Sequence, residues 1–423
     1  MKRTFLRGAR FGVGDVPGDI ERIPVELVAQ DAAISRAMLY RRRGTRPSVG
    51  VLMLHPRMDQ TQSYVLLPLM AAGYAAMGCA CRYVHNDTSS CQERLVLDVA
   101  AAVKALRESG CEKVILIGNS GGGGILSLYQ AQARTAPEAR LKDTPAGEAF
   151  DLGAYDLPPA DGLVLIAAHR GEGSRLYRWI DAAQIDEDDP MSLDPLLDIY
   201  NPDNGFRLPP ESSHYSEEFL ARYREAQHAR ALRMDARARE RIAARNDAAR
   251  EAAALEAAGD TGPRWQQLTR RSMITGHMVI TRMLACPEWL DLSIEPDDRV
   301  VCSFNNDPRP DLQNYEESFA PFLTPEAFLS TWSGLSSRAD VVSALPSIPD
   351  PFLVVHYAGD PATRISEVEH FIDVSGAIDK HLELIRGADH WGYEIVGPGK
   401  RGPRTTAGTD AIVAWMSSRF PLG

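Results

Sequence analysis

Lys113-Val114-Ile115-Leu116-Ile117-Gly118-Asn119-Ser120-Gly121-Gly122 begins as a strand and ends as a turn. Four consecutive apolar residues, three of them β-branched, suit a strand buried on both faces of a parallel sheet. Ser120 then stands between Gly118 and Gly122 in the spacing Gly-x-Ser-x-Gly. A strand-to-helix turn this sharp leaves no room for side chains beside the serine, so the flanking positions must be glycine. The turn lifts the hydroxyl out of the sheet. The N-terminus of the next helix then offers N–H groups and a positive dipole to a developing oxyanion. Alone, the pentapeptide is a common pattern; its place between an apolar strand and a helix is the context the motif requires. The rival reading is a phosphate-binding loop, whose Lys-Ser/Thr ending is missing.

Outward from this turn, short apolar runs alternate with amphipathic stretches, the pattern of a sheet with helices on both faces. Ile23 to Val28 and Ile34 to Tyr40 flank a polar turn and read as an antiparallel hairpin. Val49 to Leu54 is a buried strand that ends at His55-Pro56-Arg57-Met58. A helix from about Gln62 to Ala72 follows, then a strand from Tyr74 to Cys81 and a helix from Glu93 to Arg107. The polar stretch from Thr135 to Pro159 has no regular pattern, and Leu163 to Ala167 restores the strands. Alternation resumes with strands at Phe352 to Val355 and His381 to Ile385, and helices from Ser366 to Val374 and Thr406 to Phe420.

Between the two alternating parts, 171–344 is helical, Arg/Ala-rich and without strand and helix alternation, and reads as an inserted cap. The expected organisation is a core in two pieces, 1–170 and 345–423, around that insertion. Ser216 can cap a helix whose first turn holds Glu217 and Glu218. Helical composition then runs to Gly259. Unbroken, such a helix would be roughly 60 Å long, so it must bend, project or pack on another subunit. A solvated helix with internal ion pairs is the first expectation, and a homodimer contact through the cap the second.

The 423 residues are 44% hydrophobic and 24% charged, the profile of a chain that folds, and carry a net charge of -11. That charge disfavours a nucleic-acid partner and leaves a small molecule as the expected one. The N-terminus has basic residues without an apolar stretch of signal-peptide length, and no later segment reaches the length of a membrane span. Six cysteines in so long a chain do not make a disulfide framework, so a reducing cytoplasm is the expected location. Cys79 and Cys81 share a strand face, but no second Cys/His pair with ligand spacing follows; they read as small buried hydrophobes, and no metal is expected. The run Asp186-Glu187-Asp188-Asp189 lacks the alternating ligands of a calcium loop and reads as solvated surface.

A serine hydroxyl needs a base, and the base needs a carboxylate to orient it. Asp360 lies just past the strand Phe352 to Val355, and His390 just past His381 to Ile385, where open parallel sheets place their ligands. Over about 23–170 and 345–420, these features resemble the α/β-hydrolase superfamily: nucleophile turn, acid loop and histidine loop in the order Ser120, Asp360, His390. The resemblance implies an α/β-hydrolase fold with a mainly helical cap. It also implies that Ser120 attacks a carbonyl, His390 carries the proton and Asp360 fixes the histidine tautomer, with no cofactor.

By the same resemblance, the oxyanion hole takes one N–H from Gly121 and one from the loop after the third strand. Pro56 has no N–H, so Arg57 is the expected second donor and Met58 the alternative. Asp389 competes with Asp360 for the acid role and ranks below it, since neighbours on a loop point apart. His55 and His169 read as structural groups. The aromatic residues of the insertion, Tyr177, Trp179, Tyr200, Tyr223, Trp265 and Trp332, read mostly as cap core, with some lining a substrate pocket. The expected activity is hydrolysis of a carboxylic ester or lactone of a mid-sized, apolar or aromatic molecule through an acyl-serine. The alternatives are thioester or amide hydrolysis, or carbon–carbon cleavage like that of the meta-cleavage-product hydrolases. A binding protein that kept the scaffold ranks last, because the triad is complete.

Overall fold

Apolar runs fill the middle of the sheet because both of its faces are covered. The computed structural model describes residues 10–316 and 319–422. In chain order the elements are β1 (Ile20–Val28), β2 (Ile34–Arg42), β3 (Val49–Met53), α1 (Leu66–Ala71), β4 (Ala75–Ala80), α2 (Gln92–Glu108), β5 (Lys113–Asn119), α3 (Gly122–Arg134) and β6 (Gly162–Ile166). An insertion follows: α4 (Glu172–Trp179), α5 (Glu217–Ala257), α6 (Pro263–Ser272), β7 (Met278–Val279), α7 (Pro310–Glu316), β8 (Phe322–Leu323), α8 (Pro325–Ala327) and α9 (Val341–Ala344). The chain closes with β9 (Phe352–Tyr357), α10 (Ile365–Val374), β10 (Lys380–Ile385), β11 (Tyr393–Gly397), β12 (Lys400–Arg404) and α11 (Ala407–Arg419).

The main sheet runs β1-β2-β4-β3-β5-β6-β9-β10, and only β2 is antiparallel to its neighbours. This is the α/β-hydrolase fold. Side chains alternate across the strands, so Val51, Met53, Ile115 and Ile117 enter one apolar cluster while Leu52, Leu54, Val114 and Leu116 enter the other. The first cluster continues without a break into the insertion, through Trp179, Trp289, Phe304 and Trp332. The turn after β5, the loop after β9 and the loop after β10 all open at the same edge of the sheet, because these strands are parallel.

The chain departs from its expected character in two places, one in the insertion and one near the C-terminal end of the core. α5 is one unbroken helix of 41 residues, and α6 folds back along its distal part. Its inner face is not apolar: Gln227, Arg230 and Asp235 are buried with Phe219, Tyr223 and Met234. Arg230 is fully buried and donates to Glu187, Gln184 and the carbonyls of Asp181 and Thr281. Glu187, expected on a solvated acidic run, is therefore turned inward to meet that charge, while Asp186, Asp188 and Asp189 stay exposed. The second departure is the hairpin β11–β12, which no pattern in the sequence announced. Cys79 and Cys81 are buried free thiols whose pKa values are pushed up by burial. No helix among the described residues is long and apolar enough to cross a membrane.

Candidate active site

The turn after β5 is as tight as its glycines imply. Ser120 has φ of 54°, left-handed for a residue with a side chain, and its N–H donates to the Ala167 carbonyl at 3.1 Å. A Cβ on Gly118 would lie 2.8 Å from the Gly123 Cα, and one on Gly122 would lie 2.7 Å from the Leu54 carbonyl oxygen. The glycine run goes on because Gly123 and Gly124 meet the Ala168 Cβ and the Ala339 carbonyl oxygen at 2.8 Å in the same sense. At Gly121 the obstacle is different: a Cβ would collide with Oε1 of Glu172 and lie 3.0 Å from Nε2 of His55.

The three residues expected to act together are brought together. His390 Nδ1 is 2.7 Å from Asp360 Oδ2, and His390 Nε2 is 3.0 Å from Ser120 Oγ. All three are at most 3% exposed. Asp360 is anchored by the Ala362 N–H, which donates to its other oxygen at 2.6 Å. The carboxylate accepts the Nδ1 proton, so Nε2 is left as the acceptor for the serine hydroxyl. Asp389 faces elsewhere: Oδ1 accepts from the N–H groups of Trp391 and Tyr393, and Oδ2 from Arg401 Nε at 2.6 Å. It ties the hairpin β11–β12 to the histidine loop.

The oxyanion side differs from expectation. Gly121 stands ahead of α3, where a helix leaves its N–H groups unpaired. The N–H groups of Arg57 and Met58, expected to supply the second donor, are instead turned inward, and both donate to Nδ1 of His55 at 3.1 Å. Pro56 offers nothing to compete for that ring nitrogen, so the loop folds back over the histidine. The Arg57 guanidinium makes a two-pronged pair with Asp87, at 2.7 and 2.6 Å, and donates to the Phe319 carbonyl at 2.6 Å.

Two charged residues not singled out in the sequence reading complete this side. Glu172, the first residue of α4, is 2% exposed; Oε2 accepts from Arg175, and Oε1 has no partner among the described residues. Burial pushes the Glu172 carboxyl up, but Arg175, then Arg57 and His55, outweigh it and hold it below the usual range. Arg175 lies over the rings of Phe319, Trp179 and Phe304, at 4.4, 5.0 and 5.9 Å from their centroids. Glu-x-x-Arg on a helix ordinarily marks a surface ion pair, so the only signal in the sequence was its place just past β6. Burial, opposed by Glu172, pulls His55 down to about 3. His169 is held well below its ordinary value by burial and then by Arg175, and neither of its ring nitrogens has a partner among the described residues.

Aromatic residues enclose the site. Trp391 and Phe304 meet the His390 ring edge-on, with centroids 4.6 and 5.3 Å away, and Trp332 stacks on Arg57. Of the insertion aromatics, Trp179 and Trp332 face this region and Tyr223 is buried within the insertion, whereas Tyr177 bonds His228 on the outer face. Phe304, Ile395, Lys400, Arg401 and His390 are among the residues that line a narrow crevice beside the triad, with a cavity of only about 20 Å³.

No protein-family model matches the chain, and no curated protein matches it. Among solved structures, it is similar to a hypothetical protein from Pseudomonas aeruginosa at 12% identity and a TM-score of 0.44, with 99% of each chain covered. It is similar to Est1E from Butyrivibrio proteoclasticus at 10% identity and a TM-score of 0.44, covering 93% of this chain and 98% of that one. A thermophilic esterase from Thermogutta terrifontis aligns at 14% identity and a TM-score of 0.39, covering 94% and 98%. At these values no chemistry is carried over from those proteins.

Proposed function

We propose that this chain of α/β-hydrolase fold is a serine hydrolase that cleaves a carboxylic ester or lactone of a mid-sized, apolar or aromatic molecule. The observation that carries the reading is the unbroken chain of contacts from Asp360 through His390 to Ser120. Ser120 Oγ adds to the carbonyl carbon as its proton passes to His390 Nε2, and the carbonyl π pair moves onto oxygen. Collapse of that tetrahedral species breaks the bond to the leaving alkoxide, which takes the proton back from His390. Water repeats the sequence on the acyl-serine and frees the acid. No cofactor enters any step.

The aromatic walls at Phe304, Trp391 and Trp179 support an apolar or aromatic acyl or alcohol group. The test is labelling by a fluorophosphonate together with turnover of a panel of aryl esters and lactones. Wild type should label and turn over, and Ser120→Ala should do neither. Equal labelling of wild type and Ser120→Ala would overturn the assignment.

A further inference from the structure

The loop after β3 has lost the donor that the fold ordinarily takes from it. Pro56 carries no N–H, and those of Arg57 and Met58 are spent on His55 Nδ1. That arrangement has a chemical consequence for the ring. A nitrogen that accepts two N–H donors must present its lone pair, so the proton of the neutral imidazole is on Nε2. The tautomer is thus set by two backbone donors.

Nε2 also lies in the right place. It comes within 3.0 Å of the point where a Cβ on Gly121 would stand, against the residue whose own N–H is the first oxyanion donor. The two hydrogen bonds this ring accepts from its own loop are both at Nδ1, on the opposite side from Nε2. Only glycine at 121 permits this approach.

We propose that the imidazole of His55, through Nε2–H, is the second donor to the oxyanion formed at Ser120, replacing a backbone N–H of its loop. This assignment rests on the serine-hydrolase reading. It also accounts for the buried charges beside it. The unpartnered Oε1 of Glu172 stands at the same point, and a bare carboxylate there would repel an oxyanion. Arg175 on its other oxygen offsets that charge, and the nearby Arg57–Asp87 pair is neutral as a whole. Low proton affinity serves the role as well, because a histidine that stays neutral donates Nε2–H without taking a proton from His390.

The deciding substitution is His55→Asn. The asparagine Oδ1 can still accept the Arg57 and Met58 N–H groups, but the far donor is gone. With a p-nitrophenyl ester as probe, kcat should fall by about 10²–10³-fold, the usual loss for one oxyanion donor, while KM stays within about threefold and the thermal midpoint is unchanged. A kcat within about threefold of wild type would overturn the proposal. Should His55→Asn not fold, wild type labelled with ¹⁵N-histidine decides it. Addition of a trifluoromethyl ketone, which forms a hemiketal with the serine, should move the His55 Nε2–H resonance downfield; an unmoved resonance overturns the proposal. Ser120→Ala separates the two levels: if that variant still turns over the ester, the nucleophile reading fails, whereas its inactivity beside an active His55→Asn removes the donor assignment alone.

Discussion

The two sides of Ser120 are built on opposite terms. Toward His390, both ring nitrogens and both Asp360 oxygens have partners at 2.6 to 3.0 Å. Toward His55, the Glu172 Oε1 and both nitrogens of His169 are buried without partners among the described residues. Unpaired buried polar atoms cost folding free energy, so a protein keeps them where something else repays the cost. The triad contacts themselves are complete in the free protein, whereas Glu172 and His169 keep unpaired atoms; beside Asp360, both ring nitrogens of His356 are also buried without partners among the described residues.

The largest effect that would break this contrast comes from the finished side. In Asp360→Asn the amide can donate to Nδ1 and favour the wrong tautomer, and kcat for an aryl ester should fall by roughly 10⁴-fold with the fold intact. A loss under tenfold would mean that the pairing at His390 is not what prepares the base.

On the open side, Glu172→Gln leaves the Arg175 cation buried with no counter-charge. Urea unfolding should show a loss of about 3–5 kcal/mol, and the double variant Glu172→Gln/Arg175→Met should recover much of it. Unchanged stability in the single variant would show that the pair is balanced by solvent, and the contrast would then weaken.

The smallest effect concerns pH. His55 is held at about 3 and His169 well below its ordinary value, against an unfolded value near 6.5, so below pH 6.5 the unfolded chain binds protons that the native one refuses. Stability is therefore fully present above pH 6.5 and declines as the pH falls, by ~1.4 kcal/mol per pH unit for each such group. His169→Leu should flatten the dependence of the urea midpoint on pH by one proton. An unchanged slope would show that His169 titrates alike in both states.

The parts legible in the sequence share a local cause. Strands buried on both faces write themselves as apolar runs, and the turn at Ser120 demands glycines that nothing else explains. Asp360 lies close after such a strand, β9, and His390 close after the half-buried edge strand β10. α5 was legible as a helix from its Ser216 cap and composition, but its packed face was not, since Gln227, Arg230 and Asp235 lie on that face and erase the apolar stripe that marks an ordinary packed helix. The strand Lys400–Arg404 was hidden because it is charged and carries a proline; bonds from Arg401 to Asp389 and from Asn306 to the Lys400 carbonyl hold it instead of a core. Glu172 and Arg175 gave no signal because their burial depends on partners far along the chain.

The left-handed backbone at Ser120 limits which reactions this scaffold could come to perform. Unbranched residues such as cysteine or aspartate can occupy that conformation at modest cost, so a change of nucleophile to thiolate or carboxylate lies within one substitution. Threonine, branched at Cβ, is nearly barred from it. Descent with change of chemistry is therefore open at this position in some directions and closed in another, and the geometry of one backbone angle, set by the sheet and helix on either side, draws that line.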